Sequence, residues 1–166
     1  VELDAESAEN QAILGVALDW NAKATEAIGA CLKAIDLDPQ EAQGYACLAE
    51  AYGDYGRVDE SIRMGEKAIE LAPKDALVRR SFGYTFEVRG MYREAIHEYQ
   101  AATGLNPHHA AIYLDIGRNY RALNEPDEAT YHFVRATQVD PGFPLAHDQL
   151  GWTYYSQGYY SQAAEQ

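Results

Sequence analysis

The side chains that could do chemistry are thinly spread along this chain. It contains five histidines, and only the pair His108 and His109 is adjacent in sequence. That pair falls in a predicted loop, where a zinc site would call for further ligands nearby. Serines and acidic residues occur, but none stands in a glycine-rich nucleophile turn or a phosphate-binding loop. We therefore predict no enzyme activity, no metal site and no cofactor.

The thiol chemistry of the chain rests on Cys31 and Cys47. Two cysteines among 166 residues give little indication of a disulfide framework. The sequence favours two reduced, mostly buried thiols, and a bridge between them is the alternative because their helices are predicted neighbours. Reduced thiols favour an intracellular, cytoplasmic setting, although no targeting sequence specifies the compartment.

Four glutamates recur every 34 residues along the chain, and four prolines recur at the same interval of 34 residues. The glutamates are better explained as early-helix acids near the positive end of a helix than as general acids. The interval matches the length of one helix-turn-helix hairpin with its connectors, so the sequence predicts one stacked unit repeated along the chain. The residues are Glu26, Glu60, Glu94 and Glu128, and Pro39, Pro73, Pro107 and Pro141.

The prolines divide the chain into a single array of repeats. Repeats 1 to 4 are predicted at 8–41, 42–75, 76–109 and 110–143. Residues 1–7 are predicted to be the tail of a preceding repeat, and 144–166 a partial repeat 5. We therefore expect a segment of a longer array.

Further columns of residues recur within each repeat. A large residue precedes a small one in the first helix, and small residues in the second helix would let two helix axes approach closely. The first-helix pairs are Leu14-Gly15, Leu48-Ala49, Phe82-Gly83, Ile116-Gly117 and Leu150-Gly151. The second-helix sites are Ala27, Ser61, Ala95, Ala129 and Ala163, followed by Ala34, Ala68, Ala102 and Ala136. Gly56, Gly90 and Gly158 mark the turns, and Ala22 stands at the corresponding site of the first hairpin.

These columns resemble the tetratricopeptide repeat family, with its W-x2-L-G-x2-Y, A-x3-F and closing proline pattern. The opening aromatic of the pattern is kept as Tyr45 and Tyr113 but replaced by Gln11, Arg79 and His147. The resemblance implies an all-α fold, a right-handed α-solenoid of tandem helix-turn-helix repeats. It also implies that a concave groove, lined by the first helix of each repeat, binds extended peptides or partner helices.

Charge and hydropathy exclude two classes of partner. The formal net charge is −13, whereas general nucleic-acid binding needs clustered Lys and Arg. No run approaches the roughly 20 apolar residues of a membrane span, so no membrane insertion is expected. Residues 1–75 hold 16 acidic and 6 basic side chains, a net of −10, and 76–166 hold 10 and 7, a net of −3. The acidic half is either a solvated surface or a region that attracts a basic segment.

The predicted groove lining changes from acidic to basic to aromatic along the chain. We expect a ligand to place a carboxylate against the arginines, a basic residue near the acids and an apolar anchor beside an aromatic ring. The alternative is that the arginines only balance Glu87 and Asp115. The candidate ligand-binding residues are Trp20, Glu50, Asp54, Arg80, Tyr84, Leu114, Arg118, Arg121, Trp152 and Tyr155.

The sequence therefore predicts a protein-protein interaction scaffold with an unknown protein or peptide ligand. Two alternatives stay open. The tyrosine cluster Tyr154, Tyr155, Tyr159 and Tyr160 lies at an uncapped end and favours self-association. The second alternative is that the chain is a recruitment arm of a larger enzyme or complex.

Overall fold

The computed structural model of the protein describes residues 7–20, 23–156 and 158, without the side chains of Trp20 and Ala24. Within this part of the chain there are nine α-helices and no strands, which confirms the predicted all-α class. The helices are α1 (Ala8–Trp20), α2 (Ala24–Leu37), α3 (Ala42–Asp54), α4 (Val58–Leu71), α5 (Ala76–Val88), α6 (Tyr92–Leu105), α7 (Ala110–Ala122), α8 (Pro126–Val139) and α9 (Pro144–Ser156). No described helix is both long and apolar enough to cross a membrane.

The chain divides into two compact units between Met91 and Tyr92. In unit 1, α1 packs on α2, α3 packs on α1, α2, α4 and α5, and α4 packs on α5. In unit 2, α7 packs on α6, α8 and α9, and α8 packs on α9. The division falls between the two helices of predicted repeat 3, and the repeat boundaries themselves stay predictions.

The turns inside the hairpins are set by residues that tolerate a left-handed backbone. Gly56 and Gly90 have φ of +73° and +77°, and Gly158 has φ of +84°. Asn124 occupies the position in predicted repeat 4 that Gly90 occupies in repeat 3, and it takes the same conformation with φ of +59°. Asparagine is the usual substitute for glycine in this region, so the fourth repeat keeps the turn without a glycine. Ala22 lies outside the described residues.

The predicted small-residue columns are confirmed by their burial. Both sites of the second helices are fully buried in α2, α4, α6 and α8, while Ala163 lies outside the described residues. Gly117 of α7 faces Phe133 of α8, and a Cβ on Gly117 would lie 2.5 Å from the ring. Gly65 of α4 faces Phe82 of α5 in the same way, at 2.8 Å. Glycine at these two positions therefore allows close contacts between α7 and α8 and between α4 and α5.

The predicted early-helix acids also lie where expected. Glu26, Glu60, Glu94 and Glu128 all stand in the first turn of α2, α4, α6 and α8. Pro126 and Pro144 begin α8 and α9, where a missing N–H costs no hydrogen bond.

One column that varies in sequence has a constant structural role. In four repeats the side chain six residues after the repeat proline hydrogen-bonds to the carbonyl oxygen of that proline. The hydroxyls of Tyr45 and Tyr113 donate at 3.3 Å, Arg79 Nε donates at 3.0 Å, and His147 Nε2 lies at 2.9 Å. The replacements of the opening aromatic by Arg79 and His147 therefore preserve a connector hydrogen bond.

The expectation of two reduced thiols is wrong, because Cys31 and Cys47 form a disulfide bond. The bond joins α2 to α3, with the two Cα atoms 5.7 Å apart, and both residues are buried. Gly15 of α1 packs against both sulfur atoms, which leaves no room there for a Cβ. The cytoplasmic expectation rested on reduced thiols and loses that support.

Candidate functional site

The acidic residues predicted to line the groove lie together in unit 1. Asp54 stands at the end of α3, and its Oδ1 accepts a hydrogen bond from the hydroxyl of Tyr84 on α5. Glu50 lies one turn earlier on α3 and is half-buried. The structure thus brings Glu50, Asp54 and Tyr84 to one place.

Asp19 of α1 completes this acidic cluster, which we define as Asp19, Glu50, Asp54 and Tyr84. Burial raises the pKa of Asp19 to about 7, and a hydrogen bond with Asp54 and the charges of Asp54 and Glu50 act in the same direction. Burial and the hydrogen bond to Asp54 also raise the pKa of Tyr84. Near neutral pH the Asp19 carboxyl is therefore only partly ionised.

The arginines predicted to bind a carboxylate lie in unit 2, one turn apart on α7. Arg118 is exposed and Arg121 is half-buried. Arg121 Nη1 donates a hydrogen bond to Gln149 of α9. Among the described residues, neither Arg118 nor Arg121 forms an ion pair with a carboxylate.

Burial and the neighbouring charge of Arg118 both lower the pKa of Arg121. The guanidinium nevertheless stays charged at neutral pH, because an arginine titrates far above it. The two guanidinium groups therefore repel each other and concentrate positive charge on this part of α7.

Trp152 of α9 stands beside these arginines. The guanidinium carbon of Arg121 lies 5.4 Å from the centre of the Trp152 ring, within range of a cation–π contact. Trp152 is 58% exposed, so most of the ring remains available to a ligand. A cavity of about 570 Å³ is lined by Arg118, Arg121 and Trp152, with Asn124, Thr153 and Ser156 supplying polar groups. We call these three side chains with their cavity the arginine-tryptophan site.

The other residues predicted to bind a ligand differ in how far their side chains are exposed. Leu114 is only 4% exposed and belongs to the core of unit 2, so its side chain is not on the surface of the groove. Tyr155 is 62% exposed, and Arg80 is half-buried on α5. The side chain of Trp20, and the residues Tyr159 and Tyr160, lie outside the described part of the chain.

The histidines do not gather into a metal centre among the described residues. His108 and His109 line a cavity of about 310 Å³ together with Asp140. His132 stacks on Tyr120 with ring centres 5.4 Å apart. Burial, with the charge of Arg135 adding to it, lowers the pKa of His132 to about 4, so this ring is neutral at physiological pH.

The tandem hairpins, the buried small-residue columns and the left-handed turns together define the fold of tetratricopeptide repeat proteins. Solved structures agree with this class. The chain is similar to TTC0263, described as a thermophilic TPR protein in Thermus thermophilus, with a TM-score of 0.82, 21% identity, and coverage of 95% of this chain and 86% of that chain.

Two further solved structures share the fold. Pseudomonas aeruginosa pilF gives a TM-score of 0.79 with 19% identity, covering 95% of this chain and 72% of that chain. MamA gives a TM-score of 0.70 with 24% identity, covering 91% of this chain and 88% of that chain. No family model and no curated protein sequence matches the chain. At these identities the likeness concerns the fold.

Proposed function

We propose that this chain is a non-catalytic protein-interaction scaffold, which binds an extended peptide or a partner helix on the surface of its first helices. The fold supports this proposal because stacked hairpins within each unit present a surface of first helices to solvent, and binding there requires no catalytic residues. In unit 1 that surface carries the acidic cluster, and in unit 2 it carries the arginine-tryptophan site. Opposite charges at separate positions favour a polypeptide ligand with charges of its own.

The observation that carries the proposal is the arginine-tryptophan site. Arg118 and Arg121 offer guanidinium groups that no described carboxylate occupies, and guanidinium binds carboxylate through paired hydrogen bonds. The exposed ring of Trp152 supplies a large, rigid contact area for an apolar or aromatic side chain. We therefore infer that unit 2 binds a segment with a carboxylate next to an apolar residue.

A phage-displayed library of random peptides, panned on the intact chain, tests this inference. Peptides with Asp, Glu or a terminal carboxylate beside an apolar residue should be enriched. Arg118→Ala combined with Arg121→Ala should weaken their binding by about tenfold or more.

Arg93→Ala is the matched control. Arg93 is an exposed arginine of the same unit, but it is paired with Glu125 at 2.6 Å. Its removal alters the net charge of the chain by one unit and leaves the arginine-tryptophan site intact. Unchanged affinity in the double variant, or an equal loss in Arg93→Ala, would refute the placement of the ligand.

Self-association is a second candidate function, and α9 carries the feature that favours it. Leu145, Trp152 and Tyr155 are 53%, 58% and 62% exposed on this one helix. Large exposed apolar side chains of this kind often mark contacts between proteins. Sedimentation over a range of concentrations should show a dimer that Trp152→Ser with Tyr155→Ser abolishes. A monomer at all concentrations would exclude this candidate.

A further inference from the structure

A larger cavity, of about 650 Å³, lies in unit 1 and has an apolar floor. This apolar part of the lining, which we call the floor, comes from Leu77 of α5 and from four residues of α1, Ala12, Ile13, Val16 and Ala17. Ile13 and Leu77 are 52% and 45% exposed. Apolar side chains inside a concave site gain free energy when a ligand removes them from water.

The rim of this cavity carries carboxylates. Glu9, Glu41 and Asp75 line it, and no lysine, arginine or histidine does so among the described residues. Glu41 and Asp75 are held in place because each caps a helix. Glu41 accepts a hydrogen bond from the backbone N–H of Gln43 at 3.0 Å, and Asp75 accepts one from that of Leu77 at 2.7 Å.

The acidic cluster lies toward the other end of the same helices. Asp19 stands ten residues after Glu9 on α1, which corresponds to about 15 Å along the helix. Glu50 and Asp54 stand near the end of α3, whereas Glu41 precedes its first residue. The apolar floor is therefore bordered by negative charge at both ends, and about 15 Å is the length of about five residues of extended chain.

We propose that this cavity binds an extended segment of a partner protein in which apolar side chains are flanked on both sides by lysine or arginine. The apolar side chains would cover Ile13 and Leu77. One basic residue would approach Glu9 and Glu41, and the other would approach the acidic cluster. Charge complementarity selects this partner, because an acidic segment would be repelled from both ends of the floor.

The inference rests on the proposed function, in that a first-helix surface receives a polypeptide, but it concerns a different unit and the opposite ligand charge. The same random-peptide library, panned on the intact chain, should yield a second class of peptides with apolar residues between lysines or arginines. Their binding should weaken as salt is added, because exposed charges are screened.

Ile13→Ser with Leu77→Ser is the variant that tests the floor. It should weaken the basic-apolar peptides by about tenfold or more. Leu32→Ser with Leu37→Ser is its matched control, since both leucines are 44% exposed on α2 and neither lines the cavity. The control should bind as the unaltered chain does. Circular dichroism of both variants shows whether the helices are retained.

Glu9→Gln gives an independent test of the rim. Glu9 is exposed at the start of α1, so its replacement should not disturb the fold. It should weaken the basic-apolar peptides by about threefold and leave acidic peptides unaffected.

The results separate this proposal from the preceding one. Replacement of Arg118 and Arg121 should weaken acidic peptides alone, and replacement of Ile13 and Leu77 should weaken basic-apolar peptides alone. Failure to enrich basic-apolar peptides, or binding that survives Ile13→Ser with Leu77→Ser, would overturn the cavity proposal. Acidic peptides that remain sensitive to the arginines would keep the proposed function intact in that case.

Discussion

Replacing Gly117 by alanine should destabilise the protein, although alanine is the better helix former. A Cβ at this position would lie 2.5 Å and 2.6 Å from Cε1 and Cδ1 of Phe133. Ordinary contacts begin near 3.4 Å, so the ring would have to retreat by about 0.9 Å. Phe133 is fully buried, and its surroundings leave little room for that movement.

The expected magnitude is a balance of two opposing effects. Overpacking a core costs about 1–3 kcal/mol, and the gain in helix propensity from glycine to alanine is about 1 kcal/mol. The net loss of unfolding free energy should therefore be about 1 kcal/mol. In a Phe133→Leu background the ring is gone, and the same Gly117→Ala change should instead stabilise by up to about 1 kcal/mol. The coupling between the two sites is then about 2 kcal/mol.

Urea unfolding of the four proteins in this cycle, followed by circular dichroism, measures the coupling. Gly104→Ala is the control within the same unit, because Gly104 of α6 is exposed and nothing lies within 4 Å of its Cβ position. It should stabilise the chain by about 0.5 kcal/mol. If Gly117→Ala stabilises to the same degree, or if the two changes of the cycle simply add, the close contact between α7 and α8 is wrongly placed.

Two further predictions concern unit 1. Reducing the Cys31–Cys47 bond should lower the free energy of unfolding by about 3 kcal/mol, the chain-entropy value for a sequence separation of 16. Urea unfolding with and without reductant measures this loss. In a variant with Cys31→Ala and Cys47→Ala, the reductant should not change the unfolding midpoint. Equal midpoints for the unaltered chain with and without reductant would contradict the bond. Because the pKa of Asp19 is raised in the folded state, folding takes up a proton, and stability should fall as the pH rises from about 4 to about 7. Asp19→Asn should therefore stabilise the folded protein by about 1 kcal/mol at pH 8, a value reduced for solvent screening, and by far less at pH 4. A gain in stability that is independent of pH would disprove the coupling to Asp54.

The helices and the small-residue columns could be predicted because each repeat packs in the same way, so the same residue pattern occurs several times in the sequence. Ala34, Ala68, Ala102 and Ala136 are all fully buried, and their regular spacing alone places them alike. The turn at Asn124 escapes a pattern that marks turns by glycine alone. The signal is nevertheless present in the sequence, since Asn124 shares the column of Gly56 and Gly90 and asparagine tolerates a positive φ.

The connector hydrogen bonds show what a residue-type pattern misses. Arg79 and His147 depart from the aromatic consensus, yet they donate to a proline carbonyl as Tyr45 does. The requirement is a donor that reaches across six residues, and several side-chain types satisfy it. A column defined by hydrogen-bonding capacity groups these residues correctly.

The sequence predicts the candidate site only as well as it predicts which face of each helix is turned to the surface. Glu50, Asp54, Arg118 and Arg121 lie on the surface, whereas Leu114 faces the core. Successive residues on a helix differ by about 100°, so a small error in rotation moves a side chain from groove to interior. The Cys31–Cys47 bond depends on a distance between two helices, which no feature of a single sequence fixes.

The position of that bond has a consequence for how the protein opens. In a stack where each hairpin touches only its neighbours, hairpins can melt one at a time. A covalent link from α2 to α3 opposes this for the first two hairpins, because an unfolded α2 would stay tethered to α3 at Cys31 and so gain less conformational entropy. Amide hydrogens in α1 to α4 should accordingly exchange with solvent as a single cooperative block under oxidising conditions, and as two blocks after reduction.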